Sequence, residues 1–202
     1  MAEKNYTGTV PDNYRGEKIT AQATRDFESL SDATAFFRKA SQRLMDVEHW
    51  QQWAGKALAD FVVSDRSGKP LNVPAEQGLL IRIDIPGPGS ASGEGYDWVR
   101  IEEIASSDNP NVESIAIRVR PVAAPGSGDA EPAHFYDSLS TSTFTITREN
   151  GRITAAVYDR NIAENTSAKP VIDKVRNAVT GFVGKKVFSK VQWQLLVDGL
   201  LR

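Results

Sequence analysis

The residues able to do chemistry are few in this chain, and their types narrow the choices quickly. There is no cysteine, and His49 and His134 are the two histidines. Thiolate nucleophiles, disulfides and the usual zinc sites therefore drop out together, and no metal or cofactor is expected. Each histidine lacks a second one nearby: His49 lies in "VEHWQQW" and His134 in "AHFYD". A lone imidazole beside aromatic rings is more often a packing or surface residue than a general base. Serines cluster in "DSLSTSTF", but no G-x-S-x-G elbow and no Ser-x-x-Lys accompanies them, so nucleophilic serine chemistry has no support.

The stretch "LIRIDIPGPGSASGEGYDWVRIEE" raises the question of a phosphate-cradling loop. A dinucleotide fingerprint requires G-x-G-x-x-G at the start of a helix, where the helix amino terminus receives the pyrophosphate. Gly87 and Gly89 fit, but the third position is Ser92, and "YDWVRIEE" alternates as a strand does. A Walker loop would need Gly-Lys-Ser/Thr, which is absent. The loop reads as a hairpin tip, with Pro86 and Pro88 ending the incoming strand.

Strand alternation supplies the best constellation. Arg82 and Asp84 oppose Ile81, Ile83 and Ile85; Trp98, Arg100 and Glu102 share a face; Arg118 and Arg120 oppose Ile117 and Val119; Tyr158 and Arg160 alternate with Val157 and Asp159. Two readings stay open. The arginines either pair with carboxylates on a solvent-facing side, the commoner arrangement for one-sided sheets, or form the floor of a cavity that holds an anionic head group. Burial of Arg118 and Arg120 would favour the second. Trp50 and Trp53, at helical spacing, read as core residues able to border such a cavity.

The elements that must position these residues follow from periodicity. Residues 1–18 are polar and read as an arm, and residues 19–202 as one α+β domain. "ITAQATRDF" reads as a short strand. Ser31 and Asp32 offer caps to an amphipathic helix carrying Phe36, Phe37, Ala40, Leu44, Val47, Trp50 and Trp53, broken near Asp46 and stopped by Gly55. Four alternating runs follow, then "STFTITRE" and "RITAAVYDR" joined by Asn150-Gly151, a strong hairpin signal. These read as successive antiparallel neighbours. The chain ends in an apolar helix over about 169–201, interrupted by Gly181 and Gly184.

The bulk properties agree with an ordinary globular protein. The chain has 202 residues, 40% of them hydrophobic and 25% charged, with a net charge of -2. No basic excess draws it to nucleic acid. No apolar run approaches the roughly 18 residues that span a bilayer, and the amino terminus lacks the apolar core of a secretory signal. A cytoplasmic location is the expectation.

This order of elements, a Trp-containing segment "VEHWQQWAG" after the first helix, antiparallel strands, then a glycine-interrupted final helix, resembles the START-like superfamily, also called SRPBCC or helix-grip proteins. The resemblance covers about Ile19 to Leu201. It implies an antiparallel, strongly curved sheet of six or seven strands wrapped on the long C-terminal helix, enclosing a cavity. Members of the superfamily bind lipids, hormones, polyketides or other apolar ligands, and some are cyclases. The expected partner is thus a small hydrophobic or amphipathic molecule, with Trp50, Trp53, Arg82, Trp98, Arg100, Arg118, Arg120, Tyr158, Gly181 and Gly184 as candidate contacts. Two alternatives stay open. One is a cyclase or hydrolase-like enzyme in the same cavity, with His49, Asp84, Glu102 and Tyr158 as acid-base candidates; the other is an interaction protein forming a homodimer through its last helix.

Overall fold

Alternation in the middle of the chain becomes one antiparallel sheet. The computed structural model describes residues 3–55, 58–85, 93, 95–128, 131–165 and 182–202, with side chains of the last helix from 189 onward. Seven strands, β1 (Glu17–Asp26), β2 (Asp60–Ser64), β3 (Leu80–Asp84), β4 (Asp97–Asn109), β5 (Val112–Pro121), β6 (Thr141–Glu149) and β7 (Arg152–Ile162), lie in the order β1-β7-β6-β5-β4-β3-β2. Every neighbouring pair is antiparallel. β2 to β7 run as a meander, and β1 returns to cover the free edge of β7.

Helices α1 (Leu30–Met45), α2 (Trp50–Ala54) and α3 (Phe182–Leu200) pack on the inner face of this curved sheet. Ser29, upstream of the expected caps, starts α1: its hydroxyl accepts from the Asp32 amide at 3.3 Å. The break near Asp46 is real, since α1 ends at Met45 and one 3-10 turn, Val47–His49, redirects the chain into α2. Gly55 stops α2 with a φ of 104°. α1 lies against β6 and β7, whereas α3 lies against β1, β7 and α2. An added Cβ at Gly199 would stand 2.7 Å from the Ala54 backbone, so the glycine lets α3 sit directly on α2. The expected amino-terminal part of that helix, including Gly181, lies outside the described residues; Gly184 falls in its first turn, where no side chains are described.

Register sorts the strand residues into two faces. Ala21, Ile81, Ile83, Val99, Ile101, Ile117, Val119, Phe144, Ile146, Ile153, Ala155 and Val157 point inward and join Leu44, Trp50, Leu196 and Leu200 in one core. The opposite face carries the buried threonines Thr141, Thr143, Thr145, Thr147 and Thr154. That face is covered by the amino-terminal arm. Val10 packs on Ala156 and Tyr158, the Lys4 amide donates to the Tyr158 hydroxyl at 2.9 Å, and Arg118 Nη1 donates to the Thr9 carbonyl at 3.0 Å. Asn161 ties down the arm's end: its Oδ1 accepts from the Tyr14 amide and its Nδ2 donates to the Asp12 carbonyl. A segment that reads as a loose lead-in is therefore docked, because it shields a polar sheet face that the helices leave uncovered.

Candidate functional site

Inward side chains of the meander and the facing side of α3 leave a cavity of about 50 Å3 between them. One end is apolar and aromatic. Phe61, Ile81, Ile83, Val99 and Val119 form its sheet side, and Trp50 seats its indole against Phe61 and Phe144, with ring centroids 5.2 and 4.9 Å away. Phe144 meets Trp193 of α3 edge-on at 5.2 Å. The Trp50 Nε1–H is spent on the Leu44 carbonyl at 3.1 Å, so this indole presents only apolar surface to the cavity.

The other end is polar. The segment after β5 crosses the cavity mouth and brings His134, Phe135 and Tyr136 into the wall. Asn165 holds it there, donating from Nδ2 to the carbonyls of Pro132 and His134 at 2.9 and 3.1 Å. His134 Nδ1 accepts from the Tyr136 amide at 2.9 Å, which places the ring proton on Nε2, 4.0 Å from Asp97 Oδ2. The Tyr136 hydroxyl and Ser189 Oγ lie 3.2 Å apart, and Gln192 Oε1 accepts from the Ala59 amide at 2.7 Å.

Asp159 stands behind this polar end. It pairs in register with Ser142, a wall residue, and is 1% exposed. Trp193 Nε1 donates to its Oδ2 at 2.8 Å. Burial pushes its carboxyl up to about 6; hydrogen bonds from Ser142 and Trp193 and the charge of Arg160 offset this only in part. Burial likewise raises the Tyr136 phenol well above its usual range, and the Asp159 charge adds to that.

Of the residues expected from the sequence, Trp50 lines the cavity. The arginines do not. Arg82 lies over the Tyr96 ring at 4.4 Å on the outer side, Arg100 is exposed, and Arg118 and Arg120 grip Glu102 at 3.2 and 2.6 Å. A bulge explains the grip: register slips between Ile101 and Glu103, so Glu102 and Glu103 both reach the outer arginines. The side chains of Arg118 and Arg120 are 23% and 27% exposed. Their cover is the ion pairs, the arm's Thr9 and the Ser138 carbonyl, and neither lines the cavity.

Trp98 packs with Leu80 and Ala133 in a small outer cluster. Tyr158 is buried under the arm. Trp53 sits beneath the Arg43 guanidinium at 5.6 Å, away from the cavity wall. The acid-base candidates are likewise dispersed. His49 is exposed and paired with Asp46 at 2.7 Å, Asp84 is exposed on β3, and Glu102 and Tyr158 lie on the outer face. His134 alone of the titratable residues considered from sequence reaches the cavity, and Asp159, Tyr136, Ser142, Ser189, Gln192 and Trp193 were missed. Asp159 did leave a signal, because it follows Ala155 and Val157 in the inward register of its strand.

Among the described residues no cluster of His, Asp and Glu suits a metal ion, and no helix is long and apolar enough to cross a membrane. No family model and no curated protein matches the sequence. Solved structures do. The hypothetical protein jhp0584 from Helicobacter pylori is 13% identical, with a TM-score of 0.53 over 100% of this chain and 93% of that one. Ara h 8.0201, 13% identical, covers 92% of this chain and 99% of its own at a TM-score of 0.36. Norcoclaurine synthase from Thalictrum flavum, in truncated form, is 8% identical and covers 91% and 98% at 0.30. The fold is α+β, a seven-stranded curved antiparallel sheet packed on a C-terminal helix, and it is similar to that of the Helicobacter pylori protein.

Proposed function

We propose that the protein binds a small amphipathic molecule in the cavity between its sheet and α3. The observation that carries this reading is the division of the cavity wall into an aromatic end around Trp50, Phe61 and Phe144 and a polar end around Tyr136, Ser142 and Ser189. Binding pockets commonly combine an apolar lining with a few polar groups that fix orientation. A space of about 50 Å3 holds only a few water-sized bodies. A ligand with a ring therefore requires the half-buried Phe135 and Trp193 to swing aside.

Native mass spectrometry of the freshly purified protein, repeated after denaturing extraction, tests the reading. A mass adduct present only in the native spectrum supports it and gives the ligand's class. The control is Ile83→Trp, which fills the space from the sheet side. Loss of the adduct in that variant assigns it to this cavity; an adduct that persists lies elsewhere, and the reading fails.

A further inference from the structure

One of the two sequence readings has arginines holding an anion, but the fold turns those arginines outward and sets a carboxylate directly behind the cavity wall instead. We propose that the cavity selects a ligand carrying a protonated amine on an apolar body, with Asp159 as the acceptor for the ammonium group. This rests on the reading that the cavity binds an amphipathic molecule.

Three observations support it. The first is an incomplete hydrogen-bond shell: Asp159 is 1% exposed, Oδ2 accepts from Trp193, the Ser142 hydroxyl also stabilises the carboxylate, and Oδ1 still has no donor in hydrogen-bond geometry. Buried carboxylate oxygens are nearly always satisfied, so one left bare beside a cavity is the group a donor would complete. The second is placement. Ser142, directly across the ladder from Asp159, and Trp193, bonded to it, both belong to the wall. The carboxylate is thus immediately behind the polar end.

The third is the charge of the wall. Among the described residues no lysine or arginine lines the cavity, and the other carboxylate near it, Asp97, backs His134. Arg160, next in sequence, points to the outer face, where it donates to the Ile19 carbonyl and pairs with Glu3. An anionic head would meet a negative charge that Arg160 offsets only in part. An ammonium would meet a carboxylate, flanked by the rings of Tyr136 and Trp193, whose faces also attract cations.

A set of probes of one shape separates this from simple apolar binding. Benzylamine, benzyl alcohol, benzoate and toluene are titrated calorimetrically into the full chain at pH 7.5, and into Asp159→Asn, which keeps an acceptor for Trp193 but removes the charge. Benzylamine is expected to bind at least about tenfold more tightly than benzyl alcohol or benzoate, as a charge-assisted hydrogen bond would give. Asp159→Asn should abolish that preference while toluene still binds. Equal affinities for benzylamine and benzoate, or a preference that survives in Asp159→Asn, overturn the amine assignment while the cavity reading stands. If none of the four probes binds, toluene included, the cavity reading itself falls. The wild-type series decides the question alone should the variant fail to fold.

Discussion

Two buried or half-buried carboxylates, one on each face of the same sheet, titrate in opposite directions. On the outer face Glu102 would be raised by burial, but hydrogen bonds and charge from Arg120 and Arg118 more than offset this and hold it below the usual range. On the inner face Asp159 has neutral side-chain donors, and the Arg160 guanidinium is spent on the Asp159 backbone carbonyl and the outer face, so burial wins. The difference shows what each face is built to do. The outer face closes its charges upon themselves under an arm, whereas the inner face leaves one charge incompletely paired beside open space.

Breaking the inner face should cost most. Trp50→Ala removes a fully buried indole shared by α2, β2 and β6, and is expected to destabilise the protein by about 3–5 kcal/mol in urea denaturation. Asp159→Asn sharpens the comparison with the reverse sign. The folded carboxyl, at about 6, sits above its ordinary 3.8, so its ionisation costs stability fully above pH 6 and less as pH falls toward 3.8. The variant should therefore be more stable by up to about 3 kcal/mol at pH 7.5, with the gain gone below pH 4. A pH series of thermal melts reads this directly.

Removing residues 1–16 strips Val10 from the outer face and should cost about 1–2 kcal/mol. Faster amide exchange in β6 and β7, with β3 unchanged, would locate the loss. The smallest effect belongs to Glu102→Gln, about 0.5–1 kcal/mol, because its partners are partly exposed. Glu102 is lowered in the folded state, so its contribution is present above its ordinary value of 4.5 and is lost as pH falls through the folded value. Melts of Glu102→Gln and Asp159→Asn against pH should diverge from wild type in opposite senses; parallel curves would refute the contrast.

Much of this fold could be read from period alone. Asn150-Gly151, the break at Asp46 and the alternation of Ile81, Ile83 and Ile85 each correspond to a feature of the structure, because backbone geometry enforces them locally. The site was harder to read. Alternation assigns Arg118 and Arg120 to one face without saying whether helices or an arm will cover it, and partial burial proved to have the second cause. Tyr136, Ser189 and Trp193 come from a loop and a helix far apart in sequence, so no local spacing links them. Asp159 was visible as an acid in an apolar register, yet its meaning required knowing that β7 faces α3.

The position of β1 beside β7 also has a kinetic consequence. Arg160 reaches the Ile19 carbonyl across 141 residues of chain. The first strand to be made must therefore wait for the last before it has any partner in the sheet. Closing so long a loop carries an entropic cost before any contact repays it, which favours slow, late completion of the sheet. Until β7 forms, the meander from β2 to β6 can assemble from short-range hairpins, but β1 and the arm have nothing to dock upon. In a growing polypeptide this makes sheet closure a late event, and the unpaired edge is the segment most exposed to wrong association before it.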